Sequence, residues 1–166
     1  MYRTRIEVAR IPYRDGIIPQ KASADAAGHD LYACLEEDYI YIQPHTTYMV
    51  QTGIAIAIPE GCFGGIFARS GLASRQGLRP ANCVGVIDSD YRGEIMVALH
   101  NDTDMPQKIE HHERIAQLIV IPYLPFDFVE AKHLGETERG AGGFGSTGKN
   151  VIVNDSEIDG QLSMFD

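Results

Sequence analysis

Long apolar runs are missing from this chain. No stretch approaches the roughly 18 residues a membrane-crossing helix needs, and the arginines among the first ten residues are not followed by the apolar segment of a secretory leader. The expectation is a cytoplasmic, intracellular protein with no membrane partner. Cysteine is scarce as well: Cys34, Cys62 and Cys83 are an odd number at wide spacings, with no C-x-x-C pair and no Cys/His pair at zinc spacing. A disulfide framework and a structural zinc site are excluded on that basis. Positive charge is also in short supply, 14 Lys and Arg against 23 Asp and Glu, for a formal charge of −9. No overall field would draw in nucleic acid or acidic lipid, so any anionic ligand has to be held locally by a few placed groups.

What the sequence does contain is one domain's worth of β pattern. With 166 residues and 44% hydrophobic content, the chain can bury a core. Long amphipathic periodicity is absent, which argues against a doubly wound α/β fold. Short β-branched and aromatic runs, cut by Gly, Pro, Asn and Asp, predict strands over 30–35, 39–42, 47–58, 62–68, 84–87, 94–100, 114–123 and 126–131. One short helix is expected over 70–76, capped by Ser70. The segment 87–93 (IDSDYRG) reads as a polar hairpin tip between two strands. Adjacent His111 and His112 look like a metal cluster, but neighbours in a strand or turn point apart, and a solvated polar turn is the simpler reading. Lone polar residues in strand-like runs, Asp30 and Gln117, read as outward-facing positions.

Three segments could carry chemistry. Arg69, Ser70 and Gly71, between a strand and a short helix, would bring a guanidinium, a hydroxyl and backbone N–H groups to a phosphate oxygen, or else form a plain helix start with a surface arginine. Asp88 and Asp90 could supply a general base, or both could be turn formers. Arg139–Gly148 (RGAGGFGSTG) holds five of the chain's 17 glycines, with one Arg, one Phe and two hydroxyls. Such a segment suits backbone approach to phosphates and stacking on a base, or a flexible linker. It is not a Walker loop, because no Gly-Lys-Ser/Thr ends it.

In order along the chain, Ala26–Tyr32 (AAGHDLY), Ala68–Leu72 (ARSGL), Gly85–Gly93 (GVIDSDYRG), Glu113–Leu118 (ERIAQL) and Arg139–Gly148 resemble the five motifs of the trimeric dUTPase family. The resemblance spans about residues 3–150. It implies an all-β, jelly-roll-like domain with one short helix, assembling as a homotrimer whose active sites draw on three chains. It also implies hydrolysis of dUTP to dUMP and pyrophosphate, with Mg2+ on the triphosphate. Asp88 would activate the attacking water. Asn82, Gly85, Val86, Ile87 and Met96 would frame the uracil edge, and Tyr91 would pack under the deoxyribose. Arg69, Ser70 and Gly71 would hold phosphates, while Asp30 and Gln117 would meet the metal's waters rather than the ion. Arg139, Phe144, Gly145 and Ser146 belong to an arm that closes on the nucleotide. The sequence departs from the family where Ala68 stands in place of a frequent Pro and His29 in place of an aliphatic or aromatic residue.

The chain therefore divides into a β domain over 1–138, an arm over 139–148 and an acidic tail over 149–166 expected to be mostly flexible. The tail ends in Gln161, Leu162, Ser163, Met164 and Phe165, which resembles the short peptide that docks bacterial replication proteins on the sliding clamp. Two other functions compete. A dCTP deaminase of the same superfamily would need a proton-shuttling Glu and lacks the full glycine-rich arm. A catalytically silent dUTPase-like module would use the tail for regulation, although Asp88, Tyr91, Arg139 and Phe144 are all present.

Overall fold

A computed structural model describes residues 5–143. The chain divides after Phe126, and every strand lies in the first unit. Among the described residues eleven strands run in order: β1 Val8–Arg10, β2 His29–Tyr32, β3 Tyr39–Ile42, β4 Thr47–Gln51, β5 Ile54–Ile56, β6 Cys62–Phe67, β7 Leu78–Pro80, β8 Gly85–Ile87, β9 Met96–Asn101, β10 Gln107–Glu110 and β11 Arg114–Pro122. They pair antiparallel as β2-β11-β6-β8, β4-β9-β7, β1-β5 and β10-β3. Antiparallel pairing lets each strand bury one face, and β9 alternates accordingly, with Val97, Leu99 and Asn101 buried between half-buried or exposed neighbours.

One apolar cluster joins all four sheets. Leu31 of β2, Ile42 of β3, Val50 of β4, Ile54 of β5, Ile66 of β6, Leu99 of β9, Ile109 of β10 and Ile115 of β11 are all part of it. Asn101 lies inside this core with no exposed surface. It is tolerated because every side-chain function is used: Nδ2 donates to the carbonyls of Ile42 (3.0 Å) and Met105 (2.8 Å), and Oδ1 accepts from the Thr103 N–H and hydroxyl.

Several expectations need correction. The run 47–58 is two strands, broken at Gly53, whose φ of 68° leaves the β region. A Cβ there would also lie 2.7 Å from Cys34 Sγ and 2.8 Å from Gly16 Cα, so the corner requires glycine twice over. The run 126–131 forms no strand among the described residues: Pro122 and Pro125 interrupt the ladder that β11 would have to extend. Segments 8–10 (VAR), 78–80 (LRP) and 107–110 (QKIE) are strands that the pattern does not reveal, because each holds at most one β-branched residue. The expected hairpin over 87–93 is not one, since β8 pairs with β6 and β9 with β4 and β7, so residues 88–95 cross between sheets. The helix is a single π-type turn, Leu72–Gln76, whose cap position is Gly71 with no side-chain cap. Ser70 is already in the helical conformation and therefore cannot cap it.

Replacing Asn101 with Ala removes the buried donor to the Ile42 carbonyl and the acceptor that holds Thr103, and a loss of about 3 kcal/mol in unfolding free energy is expected, measured by urea denaturation.

Candidate active site

Asp30 and Gln117 face one another across the β2–β11 ladder, and both are engaged rather than turned to solvent. The Asp30 carboxylate is buried and takes one guanidinium on each oxygen: Arg69 Nε at 3.0 Å on Oδ1 and Arg114 at 3.3 Å on Oδ2. Arg69 also donates to the Arg114 carbonyl at 3.0 Å. Gln117 Nε2 donates to the carbonyl of Ala68 at 2.9 Å, pinning the end of β6 beside β11. Its Oε1 lies where any side chain at Gly28 would project, so that glycine leaves room for the amide. Two guanidiniums against one carboxylate leave a local surplus of positive charge on an acidic chain, beside exposed Ser70 and Gly71. This is an arrangement suited to phosphate oxygens. Sequence reasoning missed Arg114: it lies in a recognised motif, but nothing in the pattern reveals that a bulge in β11 turns it toward Asp30.

The second group lies in the segment 82–96. Asn82 sits over buried Gly85, with Nδ2 3.1 Å from where a Cβ would stand. Val86 and Met96 are exposed, and Ile87 is half-buried. After β8 the chain turns at Asp88, whose carbonyl accepts the Tyr91 N–H at 3.2 Å. The Asp88 side chain is exposed and enters no hydrogen bond or ion pair among the described residues. Arg92 closes the turn by donating to the carbonyls of Ser89 (2.7 Å) and Tyr91 (2.9 Å).

Asp88 and Arg69 do not meet within one chain, although Gly85 pairs with Ile66 toward the Arg69 end of β6. Ile87 pairs with Gly64, while Arg69 follows the other end of β6. Gly64 and Phe67 alone are about 10 Å apart at strand rise, and Asp88 and Arg69 lie beyond them in opposite directions. Arg139 belongs to the second unit, where its Nε donates to the Gly142 carbonyl at 2.9 Å. Phe144, Gly145, Ser146 and the tail residues Gln161, Leu162, Met164 and Phe165 lie outside the described residues.

The donor set bears on the metal. Asp30 is already shared by two guanidiniums, and no direct cage of carboxylates surrounds it among the described residues. Such a set fits a hydrated Mg2+ carried by a polyphosphate, an ion that keeps its waters, and does not fit a protein-caged ion.

A different cluster corrects the reading of the histidine pair. His112 adopts φ 62°, and the two rings stack with centroids 3.7 Å apart instead of diverging. Both converge on Asp15, at 3.0 Å from His111 Nε2 and 3.2 Å from His112 Nε2. His111 Nδ1 accepts the Leu35 N–H at 3.0 Å, which places the neutral ring's proton on Nε2, facing Asp15. A cation on that nitrogen would force the proton onto Nδ1, against Leu35 N–H. The trio therefore acts as a strap between the N-terminal segment and the β10–β11 turn.

These features define an antiparallel jelly-roll β domain whose polar groups gather at strand ends and connections. The sequence model of the dUTPase family matches residues 14–148. A deoxyuridine 5'-triphosphate nucleotidohydrolase of Desulfitobacterium hafniense is 49% identical over 132 residues, covering 79% of this chain and 87% of its own. One from a Hydrogenobaculum species is 48% identical over 134 residues, covering 81% and 92%. The dUTPase of Staphylococcus bacteriophage 80alpha, solved with dUpNHpp, superposes with a TM-score of 0.80 at 24% identity, over 89% of this chain and all of that one. The chain belongs to the dUTPase family.

The His111 hydrogen bond is the main cause that lowers the Asp15 carboxyl from 3.8 to about 2. Its stabilising effect is thus present above pH 4 and fades as pH falls through 2. Asp15→Asn is expected to lower stability at neutral pH by less than about 1 kcal/mol, since the pair is solvent-exposed. Denaturation curves should show the deficit shrinking between pH 4 and 2, and a carboxyl carbon NMR titration should give the midpoint near 2.

Proposed function

We propose that this chain hydrolyses dUTP to dUMP and pyrophosphate in the cytoplasm, clearing dUTP from the nucleotide pool and supplying dUMP. The observation that carries this reading is the turn at 88–91: an exposed carboxylate without a partner among the described residues, held one turn from a braced tyrosine. Close relatives bearing the dUTP nucleotidohydrolase name support it.

Asp88 orients a water and takes its proton as the water oxygen bonds to the α-phosphorus. The bond to the α–β bridging oxygen breaks, and pyrophosphate leaves with the electron pair. Arg69, the Ser70 hydroxyl and the Gly71 backbone hold phosphate oxygens and offset the charge that develops on the leaving group. Asn82 and the backbone at Gly85, Val86, Ile87 and Met96 match the uracil edge, so that cytosine leaves a donor or acceptor unmatched. Tyr91 lies under the deoxyribose and leaves no room for a 2′-hydroxyl. Arg139, Phe144, Gly145 and Ser146 close over the nucleotide and exclude water. Asp30 and Gln117 are the residues that would meet the waters of a Mg2+ ion, which would supply charge neutralisation for the triphosphate. A structural Mg(II) ion is described for the dUTPase of phage phi11, whose fold is similar at a TM-score of 0.67 and 19% identity.

Because Asp88 and Arg69 flank opposite ends of β6, one chain supplies only part of this machinery. That separation, with exposed Val84, Val86 and Met96 near the connection, supports a homotrimer with shared sites. The C-terminal Gln161, Leu162, Met164 and Phe165 would dock the enzyme on a bacterial sliding clamp, where uracil incorporation occurs; no direct nucleic-acid contact is needed.

Purified protein with Mg2+ should release pyrophosphate from dUTP and not from dTTP, dCTP or UTP. Asp88→Asn should lower turnover by about 10²-fold or more. Ammonia from dCTP would replace this reading with a deaminase, and no turnover of any nucleotide would replace it with a silent module. A tail peptide should bind purified clamp more tightly than its Gln161→Ala, Phe165→Ala version, and equal affinities would sink the docking claim.

A further inference from the structure

Tyr91 is braced from two sides. Its ring lies across Gly93, where a Cβ would meet Cζ at 2.6 Å, and its hydroxyl donates to the Glu94 carbonyl at 3.0 Å. The Glu94 carbonyl is held in turn by its own side chain, because Glu94 Oε1 accepts the N–H of Gly53 at 2.8 Å. Gly53 forms the buried β4–β5 corner, which grips the next residue at two further points. The Thr52 hydroxyl donates to the Ile95 carbonyl at 2.6 Å, and the Ile95 N–H donates to the Ile54 carbonyl at 2.8 Å. The corner is rigid for the reason given above, a left-handed glycine packed on Gly16 and Cys34. Strand pairing does not reach this segment: β8 ends at Ile87 and β9 begins at Met96, so residues 88–95 depend on such side-chain anchors.

We propose that Glu94 is a positioning residue for sugar selection. Its carboxylate ties the inter-sheet connection to the core corner and thereby sets the height of the carbonyl that receives the Tyr91 hydroxyl. The aromatic floor under the deoxyribose then cannot sink to admit a 2′-hydroxyl. Glu94 acts through Tyr91, by way of its own carbonyl and the Gly53 N–H. The inference rests on the reading of Tyr91 as the sugar-facing ring. It predicts that the carboxylate's role is acceptance of one N–H bond, which a neutral amide oxygen also provides.

The test uses the full-length protein with 13Cζ-labelled tyrosine, the Tyr91 resonance being assigned by its loss in Tyr91→Phe. Glu94→Ala is expected to shift that resonance and to reduce the preference for dUTP over UTP by roughly tenfold, mostly through KM. Glu94→Gln should restore both, and adding Tyr91→Phe to Glu94→Ala should reduce the preference no further. An unmoved resonance and unchanged preference in Glu94→Ala, with only a lower melting temperature, would overturn the inference. So would additive effects in the double variant. Absence of dUTP turnover by the unsubstituted protein, with the Glu94→Ala resonance still displaced, would fail the function above and remove sugar selection while leaving the Glu94–Tyr91 coupling established.

Discussion

The Asp30 carboxylate is the tie on which the β2–β11–β6 end of the molecule depends. It is buried on β2 and receives Arg69 from beyond β6 and Arg114 from the start of β11, so three segments distant in sequence converge on two oxygen atoms. A buried carboxylate with no counter-ion would be strongly unfavourable, and a guanidinium with no carboxylate would rotate freely on a four-bond stem. Each constrains the other. The planar groups come to rest with their remaining N–H bonds directed by that anchor, which is how a chain of charge −9 can offer positive charge at one defined place.

The opposite half follows another logic. There the backbone leaves the ladders altogether between β8 and β9, and order is restored by individual bonds: Arg92 to two carbonyls, Tyr91 to Glu94, Glu94 to Gly53. A connection held this way can present a carboxylate with no partner, which a paired strand would cover. The two halves thus divide the labour physically, one holding charge by ion pairing across strands and the other holding shape by bracing a loop on a glycine corner.

Much of this was legible in the sequence, for identifiable reasons. The β class and the central strands follow from short β-branched and aromatic runs cut by Gly, Pro, Asn and Asp. Asp88 and Arg69 stood out as polar residues in short segments between strands, whereas Tyr91 was marked only by the resemblance to the dUTPase motifs. Strands β1, β7 and β10 were illegible because VAR, LRP and QKIE hold at most one β-branched residue each, and their pairing is set by distant partners. Asp30 and Gln117 looked like solvent positions because a lone polar residue in a strand gives no sign of its cross-strand neighbour. The convergence of His111 and His112 depended on a positive φ at a non-glycine residue, which no local pattern announces. Glu94 gave no signal because its partner is a backbone N–H 41 residues earlier.

The strap at Asp15 also bears on how the chain comes to be folded. Its bond to His111 closes a loop of 96 residues, and β1 waits for β5 before it has any partner among the described strands. Contacts of such long range carry a large closure entropy and form after the local ones. During synthesis β1 can pair with β5 as soon as residues 54–56 are out, whereas the Asp15 strap waits until the β10–β11 turn has left the ribosome. The segment around Asp15 is thus pinned in two stages, first by a strand and only later by the histidine pair.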